Sequence, residues 1–153
     1  MSILLLRHVH AGDRAAWNDD DRIRPASPQG RREAEALPAL LAEHPIDRIL
    51  SSPAQRCLDS VQPLATTRGL RVESDERLAE GTPIEVVRRM LRELAEDRVL
   101  LCSHGDVIAA AITDLAEQGV EVGDPPPWQK ASTWILDGLP SSPAARYLPP
   151  PSV

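Results

Sequence analysis

Two short apolar runs each lead to a histidine, and they constrain the fold of this chain more than any other feature. Residues 3–6 run into Arg7 and His8, and residues 99–102 run through one serine into His104. Such runs are typical of strands that are covered on both faces. Ligands of open α/β sheets bind at the carboxyl ends of the strands. We therefore expect both imidazoles at one site, where the neighbouring arginine favours a phosphoryl group.

Three helix starts are marked by a hydroxyl residue followed by proline. This pattern predicts a capping side chain and a proline at the first helical position, where its missing N–H costs nothing. The pairs are Ser27-Pro28, Ser52-Pro53 and Thr82-Pro83, and Glu85 extends the third into a capping box. Apolar spacing predicts a helix behind each pair and a fourth helix from Gly105 or Asp106. Pro38 and Pro63 are expected to disturb the first two helices.

Strands are predicted between these helices, over 46–51, 70–73 and 98–102. Near the end, segments 131–136 and 144–148 flank Asp137-Gly138 and predict an antiparallel hairpin at the sheet edge. The order of elements predicts a three-layer α/β/α sandwich with a mostly parallel sheet. We expect one domain over residues 1–149, followed by a short proline-rich tail over 150–153.

Charge and composition exclude several classes of protein. A net charge of −6 argues against a nucleic-acid partner, and no apolar run approaches the roughly 18 residues of a membrane span. Two cysteines and no leader pattern fit the reducing cytoplasm, which is the expected location. The run Asp19-Asp20-Asp21 lacks the ligand spacing of a calcium loop and is interpreted as a solvated acidic loop. No cofactor is expected. Nothing in the sequence indicates an oligomeric state.

The residues at the strand and helix ends point to phosphoryl transfer. Arginine binds phosphate through a planar, permanently charged fork. Arg7 ends the first strand, and Arg56 lies in the first predicted turn of a helix, where free N–H groups also favour an anion. A neutral imidazole such as that of His8 can attack phosphorus and carry the group covalently. His104, just before a helix start, is expected to bind the same group.

Other readings of the sequence are weaker or remain open. Neither Cys57 nor Cys102 is followed six residues later by arginine, which removes a cysteine phosphatase, and no glycine-rich kinase loop is present. The non-periodic segments 13–27 and 120–130 are expected to border the cleft. Whether His10, Trp17 and Trp128 reach it stays open.

Four segments, in order, resemble the signature segments of the histidine phosphatase superfamily, which has the phosphoglycerate-mutase-like fold. They are Arg7-His8, residues 51–56 (SSPAQR), residues 77–81 (RLAEG) and Ser103-His104-Gly105. Residues 21–30 and 144–149 are similar to segments of its short bacterial phosphohistidine phosphatases and of a Nudix-associated branch. The resemblance implies a metal-independent phosphatase. Its substrate would be a phosphomonoester, such as a small phosphorylated metabolite, or a protein phosphohistidine.

The resemblance also implies a role for each matching residue. His8 would be the phosphorylated nucleophile, and Glu80 would protonate the leaving group, with Glu76 or Asp106 as alternatives. The implied phosphate and substrate contacts are Arg7, Arg56, His104 and Arg24.

Two departures from the family pattern and two rival functions accompany this assignment. Val9 stands where glycine or alanine is usual, and Ser60 stands where threonine is common. A mutase of the phosphoglycerate type would re-donate the phosphoryl group, and a binding module would keep the pocket without turnover. Release of phosphate separates a phosphatase from both.

Overall fold

A six-stranded sheet lies between two pairs of helices in the computed structural model, which describes residues 2–153. The strands are β1 Ser2–Arg7, β2 Arg48–Ser51, β3 Val72–Ser74, β4 Val99–Ser103, β5 Thr133–Asp137 and β6 Ala144–Leu148. The helices are α1 Pro28–Leu40, α2 Gln55–Arg68, α3 Ile84–Glu93 and α4 Gly105–Glu117, with short 3₁₀ turns at Arg14–Ala16, Asp21–Ile23 and Glu76–Leu78. The predicted three-layer α/β/α sandwich is confirmed.

The strand order is β3-β2-β4-β1-β5-β6. The first four strands of that order are parallel, β5 runs antiparallel to β1, and β6 runs antiparallel to β5. The mostly parallel sheet and its edge hairpin are therefore as predicted. Arg7 pairs with Ser103 across β1 and β4. Because these partners lie level, His8 and His104 leave the sheet side by side.

Alternation along β1 explains why its sequence is continuously apolar. Ile3 and Leu5 point into a core formed with α3 and α4, whereas Leu4 and Leu6 point into a second core formed with α1 and α2. None of the four is more than 1% exposed. A strand with helices on both faces has no solvent side, so a polar residue in it would lose its hydrogen bonds to water.

One of the three predicted helix caps is correct and two are wrong. Ser27 caps α1, and its Oγ accepts a hydrogen bond from the Gly30 N–H at 3.0 Å. α2 instead has Ala54 at its N-cap, without a side-chain cap, because the Ser52 hydroxyl bonds to His104. α3 begins after Pro83, and Thr82 Oγ1 donates to the Ala79 carbonyl at 2.8 Å. The predicted capping box with Glu85 therefore does not form.

Both internal prolines are accommodated without ending a helix. Pro38 lies within α1 and Pro63 lies within α2, and each helix continues past its proline as one element. Across residues 2–153, no helix is long and apolar enough to cross a membrane.

Candidate active site

A cleft of about 540 Å³ opens at the carboxyl ends of β1 and β4. The site residues predicted from the sequence that line it are Arg7, His8, Arg24, Glu80 and His104. Arg56 lies behind this wall, contacts His104, and lines an adjoining pocket of about 390 Å³. The structure therefore brings together all six residues singled out from the sequence.

The His8 ring is fixed in one tautomer by its own backbone neighbour. Its Nδ1 lies 2.8 Å from the Val9 carbonyl oxygen. Because a carbonyl can only accept, Nδ1 must carry the proton, and Nε2 keeps its lone pair. Burial lowers the pKa of His8 from 6.5 to about 3, and the nearby His104, Arg56 and Arg7 act in the same direction. The imidazole is thus neutral, as a nucleophile must be.

His104 is held from both sides of its ring. Its Nε2 lies 2.8 Å from Ser52 Oγ, and its Nδ1 lies 3.3 Å from Arg56 Nη2. The side chain is buried and ends β4 directly before the first residue of α4. Because the Arg56 N–H can only donate, Nδ1 accepts and Nε2 donates to Ser52, and the two bonds fix the ring at one orientation beside His8.

Arg56 is a buried cation whose charge is balanced by Asp21. Its side chain is 1% exposed, and its Nη2 lies 3.0 Å from Asp21 Oδ2. Its Nη1 donates to the Asp21 carbonyl at 2.9 Å. Burial opposes ionisation of Asp21, but its hydrogen bond to Arg24 and the charge of Arg56 hold its pKa below the ordinary value. The carboxylate therefore stays charged at neutral pH and holds the guanidinium in place.

The Arg7 guanidinium packs against the first turn of α4. Its Nη1 donates to the Trp128 carbonyl at 2.9 Å. A Cβ placed on Gly105 would lie 2.8 Å from Arg7 Cζ, so only glycine leaves room for this approach. Burial lowers the pKa of Arg7, against the opposing charge of Asp106. An unbalanced, partly desolvated cation at a helix N-terminus is well suited to bind an anion.

Each of the two arginines also has an unused donor. Within residues 2–153, the Nε atoms of Arg7 and Arg56 are buried without a hydrogen-bond partner. Buried donors are normally paired, and an unpaired one costs free energy until a ligand or water satisfies it. Neither atom has surface open to the cleft, so the surrounding contacts must offset this cost.

Three carboxylates lie on the cleft, and that of Asp13 caps its own 3₁₀ turn by accepting a hydrogen bond from the Ala15 N–H at 2.9 Å. Glu80 Oε1 lies 2.6 Å from Arg14 Nη2 and 3.8 Å from Arg56 Nη2, and its side chain is 44% exposed. Asp106 lines the same cleft, and its Oδ2 accepts a hydrogen bond from the Gly81 N–H at 2.8 Å. Glu76 instead lines the adjoining pocket and pairs with Arg22 at 3.0 Å. Of the three acids that the family resemblance offers, Glu80 and Asp106 are therefore the two that line the cleft.

Arg24 lines the cleft with a charge that is already paired. Its Nε donates to Asp21 Oδ1 at 3.0 Å, its Nη1 donates to the Ala11 carbonyl, and only 6% of the residue is exposed. This arrangement ties the loop after β1 to Asp21, and through Asp21 to Arg56.

The structure shows which of the three positions left open above reach the cleft. Trp128 lines the cleft and supplies a carbonyl to Arg7. Trp17 and His10 are not among the residues that line it: Trp17 Nε1 donates to the Asp20 carbonyl, and His10 Nδ1 lies 2.6 Å from Ser27 Oγ.

Four site residues escaped prediction from the sequence. Ser52 holds His104, and Ser60 accepts a hydrogen bond from the Val9 N–H while donating to the Arg56 carbonyl. Arg14 and Lys130 line the cleft from the two non-periodic segments. For Arg14 and Lys130 the available signal was the expectation that those segments border the site. For Ser52 and Ser60 it was the family resemblance, which includes residues 51–56 and the position of Ser60.

Residues 3–82, just over half of the chain, match the sequence profile of the histidine phosphatase superfamily (branch 1). The chain therefore belongs to the histidine phosphatase superfamily. A relative from Mycolicibacterium smegmatis, an 8-oxo-(d)GTP phosphatase, is 30% identical over 158 aligned positions that cover 98% of this chain and 48% of that protein. The chain thus spans about half the length of this curated relative.

Solved structures share the fold over nearly the full chain. The protein histidine phosphatase SixA complexed with tungstate has a TM-score of 0.77 and 20% identity, covering 97% of this chain and 94% of that one. The putative phosphohistidine phosphatase SixA from Agrobacterium tumefaciens has a TM-score of 0.79 and 24% identity, covering 97% and 98%. Mycobacterial glucosyl-3-phosphoglycerate phosphatase Rv2419c, with inorganic phosphate, has a TM-score of 0.69 and 21% identity, covering 95% and 94%.

Proposed function

We propose that this chain is a phosphatase that hydrolyses a phosphomonoester or a protein phosphohistidine through a phosphohistidine intermediate on His8. The observation that carries the proposal is the state of the His8 ring. Its Nδ1 is committed to the Val9 carbonyl, and its burial keeps it neutral, with a pKa of about 3. Nε2 is then the nucleophilic atom, with its lone pair available at neutral pH.

Arg7, Arg56 and His104 bind the oxygens of the transferred phosphoryl group. The positive charges of the two arginines, which act on the His8 ring, support this role, as does the fixed His104 ring beside His8. Phosphoryl transfer needs positioning and electrostatic stabilisation of the equatorial oxygens more than covalent help from the protein. Fixed cations around one neutral nucleophile meet that need.

In the first step, Nε2 of His8 forms a bond to phosphorus while the bond to the leaving atom breaks. The leaving atom takes the electron pair and accepts a proton from a carboxylic acid, for which we propose Glu80. In the second step, water attacks the phosphohistidine, the same carboxylate takes a proton from that water, and phosphate leaves with His8 restored. Asp106 is the alternative acid in the same cleft.

The relatives support a phosphorylated substrate. They include an 8-oxo-(d)GTP phosphatase, a putative phosphohistidine phosphatase and a glucosyl-3-phosphoglycerate phosphatase. Two buried free cysteines suit a reducing compartment, and we place the reaction in the cytoplasm.

Hydrolysis of p-nitrophenyl phosphate in excess EDTA tests the proposal. The wild-type chain should release p-nitrophenol and phosphate, and His8→Ala should abolish this release. His44→Ala, at a position outside the cleft-lining residues, is the matched control and should retain the wild-type rate. Activity that survives in His8→Ala would refute a nucleophilic role for His8.

A further inference from the structure

Lys130 is the only lysine in the chain, and it lies on the wall of the active-site cleft. All other Lys and Arg positions, 16 of the 17, are arginine. The proposed reaction gives Lys130 no task, because Arg7, Arg56 and His104 already surround the transferred group.

The other cations on the cleft wall are engaged. Arg14 pairs with Glu80 at 2.6 Å, and Arg24 pairs with Asp21 at 3.0 Å. Arg7 donates to the Trp128 carbonyl. Lys130 alone among these four makes neither a side-chain hydrogen bond nor an ion pair with any residue from 2 to 153. Its ammonium group is therefore the cation on this wall that neither a protein partner nor the transferred phosphoryl group engages.

The turn that carries Lys130 is fastened to the catalytic strand. The Ala131 N–H lies 3.1 Å from both the Arg7 and the His8 carbonyl oxygens, and the Arg7 N–H donates to the Ser132 carbonyl at 3.0 Å. Ala131 has φ +65, a left-handed conformation that costs a residue with a side chain of order 1 kcal/mol. Surrounding contacts must hold this strained backbone in place. Lys130 is thus presented to the cleft by a fixed turn rather than by a free loop.

The electrostatic surroundings of Lys130 are positive. Burial lowers the pKa of Lys130, and the charges of Arg7, Arg24 and Arg14 act in the same direction, with Glu33 opposing. The Glu33 carboxylate is already engaged, since it accepts a hydrogen bond from the His10 N–H at 2.9 Å. A cation that its neighbours repel gains most from an anionic ligand.

We propose that Lys130 binds a second anionic group of the substrate, carried by the leaving group, and so selects compounds in which a carboxylate or phosphate lies close to the transferred phosphoryl group. This inference rests on the proposed function, because it assigns the remaining cation of the same cleft. Lys130 is here a specificity residue, distinct from the groups that hold the transferred phosphoryl.

Matched ligand pairs test the proposal through competitive inhibition of p-nitrophenyl phosphate hydrolysis. In each pair one member carries the second anion: 3-phosphoglycerate against glycerol 3-phosphate for a carboxylate, and ADP against AMP for a phosphate. The ratio of inhibition constants within a pair cancels changes in the shared phosphate contacts. In the wild type, the doubly anionic member of at least one pair should bind about tenfold or more tightly, as expected for a charge-assisted hydrogen bond. The pair with the larger ratio identifies the anion.

Variants at Lys130 then locate the effect. Lys130→Gln should bring the ratio close to one, and Lys130→Arg should keep most of it. Arg92→Gln, on the exposed side of α3 and outside the cleft-lining residues, removes the same charge and should leave the ratio at its wild-type value. A wild-type ratio near one for both pairs, or a ratio that survives Lys130→Gln, overturns the proposal. An equal loss of affinity for both members of a pair in Lys130→Gln also overturns the proposal, because Lys130 would then bind the phosphate that both members share.

A single lysine allows a direct readout that needs no turnover. Acylation of amines followed by mass spectrometry of the peptide that contains residue 130 reports on Lys130 alone. The doubly anionic member of the favoured pair should protect Lys130 from acylation more than its partner does at equal occupancy, and equal protection overturns the proposal. If the chain fails to hydrolyse p-nitrophenyl phosphate, the phosphatase proposal fails, whereas calorimetric binding of the same pairs still decides the role of Lys130.

Discussion

The imidazoles of His8 and His104 meet edge to face, with ring centroids 5.4 Å apart and planes inclined at 66°. They reach this position because Arg7 and Ser103 are paired across β1 and β4. Each histidine directly follows one member of this pair, so both leave the sheet at the same edge. Their hydrogen bonds differ. His8 uses one ring nitrogen on a carbonyl, whereas His104 has a partner at each nitrogen. The pair thus combines one ring with a free lone pair and one ring whose orientation is fixed at both nitrogens.

Burial of His8 predicts a penalty on folding in acid. The unfolded chain protonates this histidine near pH 6.5, whereas the folded chain keeps it neutral down to about pH 3. Stability is therefore lost as the pH falls from 6.5 towards 3, at up to about 1.4 kcal/mol per pH unit. His8→Gln removes this loss, so between pH 7.5 and pH 4.5 its free energy of unfolding should fall by about 3 kcal/mol less than that of the wild type. Urea unfolding at the two pH values measures the difference, and parallel losses would contradict the buried neutral state.

Gly105→Ala should damage catalysis without damaging the fold. The new Cβ would lie 2.8 Å from Arg7 Cζ and push the guanidinium out of position. Alanine is a better helix former than glycine at the start of α4, so the helix itself is not weakened. We expect kcat/KM for p-nitrophenyl phosphate to fall about tenfold or more while the thermal unfolding midpoint is retained. Wild-type kcat/KM in this variant would show that Arg7 does not need its observed position.

Ser52→Ala removes the hydroxyl that lies 2.8 Å from His104 Nε2. Ser51 is its matched control, because it is equally buried but its Oγ donates to the Ser52 carbonyl instead. Both substitutions should cost about 1 kcal/mol of stability through a lost hydrogen bond. Only Ser52→Ala should also lower kcat, by about tenfold, because only that variant frees the His104 ring. Equal kcat values for the two variants would contradict a positioning role for Ser52.

The choice of acid is decided by leaving groups. An alkyl leaving group such as that of glycerol 2-phosphate needs a proton, whereas p-nitrophenolate needs little help. If Glu80 is the acid, Glu80→Gln should lower kcat/KM, which reports only the first step, by about 100-fold for the alkyl ester and by much less for the aryl ester. Asp106→Asn should show no such dependence on the leaving group. The reverse pattern would assign the acid to Asp106, which lines the same cleft.

Local patterns in the sequence predict the sheet and the two histidines well, because an apolar run covered on both faces leaves few alternatives for residues 3–6 and 99–102. The helix cap at Ser27 could also be predicted, because it requires only a hydrogen bond from Gly30, three residues away. The predicted helix cap at Ser52 was wrong because its hydroxyl bonds to His104, 52 positions further along the chain. Glu80 came from the family resemblance alone, as nothing local separates it from the other carboxylates.

Lys130 and Arg14 also lie at the site because of contacts that are distant in the sequence. Lys130 reaches the cleft because the neighbouring Ala131 N–H meets the carbonyls of Arg7 and His8, more than 120 positions earlier in the chain. Arg14 reaches it through an ion pair with Glu80. Contacts of this range depend on the complete fold, so no window of sequence around either residue contains them.

Direct detection of the covalent intermediate tests the central claim. The chain is mixed with p-nitrophenyl phosphate, quenched in alkali within the first turnovers to preserve phosphohistidine, digested and analysed by mass spectrometry. We predict a mass increase of one phosphoryl group on the peptide that contains His8, absent in His8→Ala and present in the control His44→Ala. Rapid hydrolysis with no phosphate on that peptide, or with phosphate on His104 instead, would contradict the account.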